Sequence, residues 1–198
     1  MTGQALEERL RAARIVPVVR VGAADAARGL VDRLLAAGLD VIELTTTIPG
    51  WPAVLEAMRA EQRGVCVGVG TVLSADDARR AVAAGADFCV SPRLVPEARP
   101  VLASAAVPFL EGGLTPTEVL DAATRGIAKL FPAHVGGVPY LRSLLAVAPG
   151  ARIMPTGGIP LDEVDAWLDA GAVAVGVGVG GDLTAPGDIA LRVREALS

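Results

Sequence analysis

Short apolar runs recur along the chain, and most of them follow an alanine-rich, helix-like stretch that ends in glycine. Glycine favours the position just beyond a helix, where the backbone turns left-handed. The glycines that separate a helical stretch from an apolar run are Gly38, Gly64, Gly85, Gly126, Gly150 and Gly171. Their spacings are 26, 21, 41, 24 and 21 residues. The regular interval fits one helix plus one strand, and the long interval has room for a second strand.

The apolar runs predict eight strands. The run VPFL at 107–110 fills the long interval, and IVPVVRV at 15–21 precedes the first of the glycines. The other six runs are LDVIEL, VCVGVG, ADFCVS, IAKLF, ARIMP and AVAVGV. All are apolar at consecutive positions, which is typical of strands with helices on one face and a core on the other.

Helix-start signals lie between these runs. Ser74 is followed by Asp77, Thr115 is followed by Glu118, and Pro160 opens the stretch LDEVDAWLDA. The amphipathic start, MTGQALEERLRAAR, predicts one more helix. The alternation predicts an α/β fold, a (β/α)8 TIM barrel with an N-terminal helix and one domain over residues 1–198. A doubly wound open sheet is the alternative, because a local pattern does not show closure.

Composition narrows the class of partner. The chain has 198 residues, a hydrophobic fraction of 52% and a formal charge of -4. Basic residues do not cluster beside aromatic ones, which argues against nucleic acid and anionic membranes, and no apolar run is long enough to span a bilayer. We expect a cytoplasmic protein that binds a small molecule. Cys66 and Cys89 lie inside predicted strands, which favours buried thiols over a disulfide or a metal site.

Polar residues follow the predicted strands, at the end where function sits in a TIM barrel. They are Arg20, Glu43 with Thr45 to Thr47, Gly70 with Thr71, Ser91 with Pro92, Glu111, Lys129, PTGG at 155–158 and GVGVGG at 176–181.

Lys129 is the single lysine of a chain that otherwise uses arginine for its basic side chains. Arginine neither loses its proton in proteins nor forms an imine, whereas a desolvated lysine becomes a nucleophile towards carbonyl carbon. Lys129 therefore suggests a Schiff-base former. The alternative is a strand-end lysine whose amine reaches solvent.

An imine chemistry also needs a group that moves protons, and Glu43 is the best-placed carboxylate. Alternation along a strand puts Glu43 on one face with Val41 and Thr45. A buried pair between Glu43 and Arg20 is the structural alternative. Glu111, at a neighbouring strand end, is a second candidate for the acid/base role.

Two glycine-rich strand ends suggest an anion site. Gly157 and Gly158 precede the helix predicted from Pro160, and Gly178 and Val179 lie at the end of the last strand. Backbone amides at these positions can face a phosphate, and the loops after strands seven and eight bind phosphate in many barrels. The alternative is that the glycines only permit tight turns.

Together these motifs resemble the 2-keto-3-deoxy-6-phosphogluconate (KDPG) aldolase family of class I aldolases. The resemblance rests on IVPVVRV, AAGLDVIELT, VGVGTVLS, AGADFCVSP, LTPTEVLDA, KLFPA and MPTGGI, which occur in the family's order. It implies a (β/α)8 barrel, usually a homotrimer, that cleaves KDPG into pyruvate and glyceraldehyde 3-phosphate without a metal or other cofactor.

The resemblance also implies roles for individual residues. Lys129 would form the Schiff base and Glu43 would be the general acid/base. The residues implied to bind substrate are Arg20, Thr71 and Pro92 at the pyruvate end, Phe131 beside the imine, Thr156 at the hydroxylated carbons, and Gly157, Gly158, Gly178 and Val179 at the phosphate.

Three positions depart from the family pattern. Thr47 replaces a common arginine, Val179 replaces a common serine, and Glu111 replaces a common proline. The substrate therefore stays open between KDPG, 4-hydroxy-2-oxoglutarate and the phosphogalactonate epimer of KDPG. A phosphosugar isomerase or epimerase, and a barrel that only binds a phosphorylated metabolite, are the alternatives from other classes.

Overall fold

The structure is a computed structural model and describes residues 1–61, 64–179 and 189–196. Its strands are β1 Ile15–Val19, β2 Val41–Thr45, β3 Cys66–Gly70, β4 Phe88–Val90, β5 Phe109–Leu110, β6 Gly112–Gly113, β7 Ile127–Leu130, β8 Arg152–Pro155 and β9 Val175–Gly178. Its helices are α1 Gly3–Ala13, α2 Ala24–Ala36, α3 Trp51–Glu61, α4 Ala75–Ala83, α5 Arg99–Ser104, α6 Pro116–Ala123, α7 Gly137–Val147, α8 Val164–Asp169 and α9 Ile189–Ala196. Two short 3-10 turns, Ala133–Val135 and Leu161–Glu163, precede α7 and α8.

The strands form a closed ring. Parallel pairing runs β5-β4-β3-β2-β1-β9 on one side and β6-β7-β8 on the other. Glu111 alone separates β5 from β6, so these two short strands continue one another, and a bridge between Thr156 and Gly176 joins β8 to β9. The predicted (β/α)8 barrel with an N-terminal helix is confirmed, and the open-sheet alternative is wrong because both ends of the sheet are joined.

The predicted helix starts are found with their caps. The Ser74 hydroxyl accepts a hydrogen bond from the amide of Asp77, and Thr115 with Glu118 forms a reciprocal capping box. Pro160 is followed by a 3-10 turn, and α8 begins only at Val164. The fifth strand differs from the prediction: it runs past Leu110 and is interrupted at Glu111, whose side chain leaves the sheet to meet two arginines.

The barrel interior is closed at one end by α1. Leu6 and Leu10 are fully buried and pack against residues that begin the strands, among them Val41, Phe88 and Ile127. A second, larger cluster lies between the strands and the outer helices. Apolar side chains therefore fill the barrel at the end where the strands begin. Buried polar side chains lie towards the carboxyl ends of the strands: Glu43, Thr45, Ser91, Glu111, Lys129 and Thr156. Among the described helices, none is both long and apolar enough to cross a bilayer.

Leu10→Ala is expected to lower the free energy of unfolding by about 3 kcal/mol, because the substitution leaves a cavity at the closed end of the barrel. Leu73 is 40% exposed and serves as the control; Leu73→Ala is expected to change stability by about 0.5 kcal/mol or less. Urea unfolding followed by circular dichroism measures both. Equal losses in the two variants would contradict the place of α1 in the core.

Candidate active site

Lys129 and Glu43 meet inside the barrel. Lys129 comes from β7 and is 4% exposed, and Glu43 comes from β2 and is fully buried. The amine Nζ lies 3.5 Å from Glu43 Oε1, and Glu43 Oε2 has no hydrogen-bond partner among the described residues. Lys129 therefore does not reach solvent as a strand-end lysine would. The arrangement places a shielded amine beside a carboxylate with one oxygen free to act on a ligand.

Phe131 lies close to the lysine, and Pro92 packs on the strand that pairs with it. Lys129 Nζ lies 5.4 Å from the centroid of the Phe131 ring. Gly112 pairs with Lys129 across β6 and β7, and a Cβ atom on Gly112 would lie 2.6 Å from the carbonyl carbon of Pro92. The backbone of Pro92 is therefore packed directly on the strand partner of the lysine.

Gly70 makes room for the carboxylate of Glu43, a role that was not assigned to this glycine from the sequence. A Cβ atom at Gly70 would lie 1.8 Å from Glu43 Oε1. The sequence contains a signal for this role of Gly70. The strand that ends in VGVG pairs with the strand that ends in VIELT, which places glycines next to the carboxylate of Glu43. The glycine is thus required by the close approach of a neighbouring side chain.

Arg20 does not pair with Glu43. Its Nη1 donates to Thr47 Oγ1 and its Nη2 donates to Thr71 Oγ1, each at 3.0 Å. Thr71 has a backbone φ of 62°, which is uncommon for a β-branched residue. Such conformations are frequent at ligand sites because the surrounding structure holds them in place. Arg20 and Thr71 are therefore brought together at the barrel mouth, and the structural alternative of an Arg20–Glu43 pair is wrong.

Glu111 is not available as a second acid/base. Its Oε1 accepts a hydrogen bond from the Val95 amide at 2.8 Å. Its Oε2 accepts bonds from Nε of Arg99 at 2.8 Å and Nε of Arg125 at 3.0 Å. Glu111 touches the lysine strand through its backbone, since its carbonyl accepts the Lys129 amide at 2.8 Å. The carboxylate is held by two guanidinium groups and serves the structure of the broken strand.

The PTGG turn lies beside the lysine strand. Gly157 and Gly158 have positive φ values of 96° and 70°. Added Cβ atoms would lie 2.9 Å from the Phe131 ring at Gly157 and 2.5 Å from Nδ1 of His134 at Gly158. His134, assigned no role from the sequence, therefore packs against this turn. Because α8 begins only at Val164, the turn does not lie at an α-helix end as predicted.

The other glycine-rich end is only partly open to a ligand. Gly178 is exposed, but the Val179 amide donates to the Val18 carbonyl at 2.9 Å. That amide is therefore used in pairing β9 with β1. The residues that follow, Gly180 and Gly181, lie outside the described residues. Thr156 is buried beside Gly176, and its Oγ1 has no partner in the described part of the chain.

Both thiols are free and buried, as predicted. Burial raises the pKa of Cys66 to about 12, with a further contribution from Asp87. Burial also raises the pKa of Cys89 to about 12, with a smaller contribution from Glu43. Across the described ranges, no group of three or more His, Cys, Asp or Glu side chains is arranged to hold a metal ion.

Comparison with known proteins identifies the family. The sequence model described as KDPG and KHG aldolase matches residues 6–186. The chain belongs to this aldolase family. The 2-dehydro-3-deoxy-phosphogluconate aldolase of Haemophilus influenzae is 35% identical over 170 residues, which cover 84% of this chain and 80% of that protein.

Solved structures of the aldolase family share the fold. The KDPG aldolase of Zymomonas mobilis ZM4, solved with 3-phosphoglycerate, is 30% identical with a TM-score of 0.83 and covers 98% of this chain and 94% of its own. The KDPG aldolase of Legionella pneumophila, with pyruvate captured as a covalent carbinolamine intermediate, is 27% identical with a TM-score of 0.82 and covers 96% of both chains.

Two glycine-to-alanine substitutions are expected to change stability in opposite directions. Gly70→Ala should lower the free energy of unfolding by about 1–3 kcal/mol, because its Cβ meets the buried carboxylate of Glu43. Gly29 lies within α2, where an added Cβ has no atom within 4 Å, and Gly29→Ala should raise stability by about 0.5–1 kcal/mol.

Urea unfolding of the single variants and of Gly70→Ala in a Glu43→Ala background tests the cause. The Gly70→Ala loss should shrink in that background, because the clashing carboxylate is gone. An unchanged loss would show that the glycine is needed for some other reason.

Proposed function

We propose that this protein is a class I aldolase that cleaves KDPG to pyruvate and glyceraldehyde 3-phosphate through an imine on Lys129. The observation that carries the proposal is the buried contact between Lys129 Nζ and Glu43 Oε1. The name of the Haemophilus influenzae relative and the pyruvate carbinolamine of the Legionella pneumophila structure support the same reaction.

Imine formation begins with the neutral amine of Lys129. Its nitrogen lone pair adds to the C2 carbonyl carbon of the substrate, and a proton passes from that nitrogen to the carbonyl oxygen, which becomes the hydroxyl of a carbinolamine. Glu43, in its protonated form, then gives a proton to that hydroxyl, which leaves as water and yields the imine. Glu43 is left as a carboxylate within reach of the next proton.

Bond cleavage uses the imine as an electron sink. The Glu43 carboxylate accepts the proton of the C4 hydroxyl, directly or through a water molecule, as the C3–C4 bond breaks. The bonding electrons move to C3 and form an enamine, and the aldehyde leaves. Glu43 returns this proton to C3, which gives the pyruvate imine. Water then adds at C2 as Glu43 takes up one of its protons, and collapse of the resulting carbinolamine releases pyruvate and restores the neutral amine of Lys129.

The remaining site residues are proposed to hold the two ends of the substrate. Arg20 and Thr71 face the carboxylate, Pro92 and Phe131 border the imine, and Thr156 contacts the hydroxylated carbons. The backbone at Gly157, Gly158 and Gly178 faces the phosphate. In the conformation described, the Val179 amide is already bonded to Val18, which removes one of the amides expected to bind phosphate.

That occupied amide favours a second candidate, cleavage of 4-hydroxy-2-oxoglutarate by the same mechanism. The Val179 side chain is apolar and buried, so it offers no hydroxyl to a phosphate. The pyruvate end of both substrates is the same, and only the distal group differs. A substrate without phosphate would therefore lose little binding free energy near Val179.

We propose a homotrimer of one-domain subunits acting in the cytoplasm, on the basis of the family resemblance.

Reduction with borohydride in the presence of pyruvate is expected to add a stable adduct to Lys129, because the imine becomes a secondary amine. Peptide mass spectrometry locates the adduct. Lys129→Arg keeps a cation beside Glu43 but cannot form an imine, so it should give no adduct and no aldol cleavage. Labelling at another residue, or turnover in the arginine variant, would rule out the mechanism and favour an isomerase, an epimerase or a binding protein.

A comparison of substrates tests the distal end. We expect kcat/KM for KDPG to exceed that for its unphosphorylated analogue by about 10–100-fold, the range for hydrogen bonds to a charged group. Pyruvate release, coupled to lactate dehydrogenase, measures both compounds and 4-hydroxy-2-oxoglutarate. Faster cleavage of 4-hydroxy-2-oxoglutarate than of KDPG would instead support the second candidate.

A further inference from the structure

Arg20 carries a charge that no carboxylate balances in the described part of the chain. Its guanidinium donates hydrogen bonds to the hydroxyls of Thr47 and Thr71. Several other arginines at the surface lie in ion pairs, such as Arg28 with Glu61. A guanidinium has five N–H donors, so two hydroxyl contacts leave three donors and the full positive charge for an anionic ligand.

Thr47 Oγ1, which accepts the hydrogen bond from Arg20 Nη1, belongs to a chain of hydrogen bonds in which each donor and acceptor can be assigned. Thr45 Oγ1 donates to the Val19 carbonyl at 3.1 Å, and it lies 2.8 Å from Thr47 Oγ1. A carbonyl only accepts, so the Thr45 hydrogen is used there, and Thr47 must donate to Thr45. Thr47 is then left as an acceptor towards Arg20, which only donates. Each bond in such a chain polarises the next and strengthens it.

This chain is anchored in the barrel rather than in a loop. Thr45 is fully buried and ends β2, and the Val19 carbonyl ends β1. Val19 of β1 pairs with Leu44 of β2, so Arg20 lies level with Thr45. Thr45 is two residues beyond Glu43 on β2. The guanidinium is thus tied to two neighbouring strands beyond the acid/base, and Thr71 ties it to the end of a third.

We infer that Thr47, acting through Thr45, is a positioning residue that holds Arg20 in place to bind the carboxylate of the keto acid. The inference rests on the proposed function and names the residue that orients its carboxylate-binding group. Thr47 itself does not touch the substrate. Its loss should weaken the binding of a charged keto acid and leave the chemistry at Lys129 unchanged.

Thr47→Val removes the hydroxyl and keeps the shape, and Thr47→Ser keeps the hydroxyl. Thr124 supplies the matched control, since its hydroxyl donates to the Asp121 carbonyl at the end of α6. Each variant is titrated with pyruvate, and separately with its uncharged methyl ester, in the presence of cyanoborohydride. The adduct at Lys129 is quantified by mass spectrometry, and thermal unfolding checks that each variant is folded.

The half-saturating concentration of pyruvate should rise about ten-fold in Thr47→Val, because a hydrogen bond that orients a charged group is lost. The value for the methyl ester and the trapping rate at saturation should not change. Thr47→Ser should remain within about two-fold of the unmodified protein because its hydroxyl is retained, and Thr124→Val should match the unmodified protein. Thr45→Val, which breaks the same chain one step further in, should shift pyruvate in the same direction.

An equal shift for pyruvate and its ester, or no shift at all, would overturn the inference and leave Thr47 with a structural role. Absence of a Lys129 adduct in the unmodified protein is a different outcome, because it would overturn the proposed function itself. The two failures are therefore distinguishable in one set of titrations.

Discussion

An amine and a carboxylate 3.5 Å apart, both removed from water, form the contact on which the rest of this site depends. Two charged groups are costly to bury, and the cost is offset only when they lie together with suitable hydrogen bonds. Here one oxygen of Glu43 has no partner among the described residues. Stabilisation of the fold therefore explains this pair poorly, whereas interaction with a bound ligand explains the oxygen that has no partner.

The surrounding barrel is built around that pair. Gly70 is small because the carboxylate occupies the space of its side chain. Gly112, which pairs with Lys129, is small because the backbone of Ser91 and Pro92 packs directly against it. The break in the fifth strand has a related origin. Glu111 turns outwards to Arg99 and Arg125, while its carbonyl still receives the Lys129 amide. The two carboxylates therefore differ in their surroundings. Glu43 keeps one oxygen without a partner among the described residues, whereas Glu111 is held by two guanidinium groups at the broken strand.

The sequence predicted the parts of this structure that repeat or that depend on one side chain. Eight apolar runs and their glycines predicted the barrel, because strand burial and left-handed turns depend on residues that are close together in the chain. Composition and strand position singled out Lys129 as the candidate Schiff-base lysine. The bonds of Arg20 were not predictable, because they depend on the register between three strands that are distant in the chain. The departure of Glu111 from the sheet was missed for the same reason, since its arginine partners lie in α5 and in the turn after α6.

The helix that opens the chain has a consequence for the order of events during turnover. With Leu6 and Leu10 packed under the strands, the barrel is filled at the end where the strands begin, so a ligand in the proposed reaction enters and leaves at their carboxyl ends. In the proposed reaction the pyruvate part is bound to Lys129 deep in the barrel, and the aldehyde part lies nearer the opening. A passage with one exit imposes a sequence: the aldehyde departs first, pyruvate last, and in the reverse direction pyruvate must enter before the aldehyde.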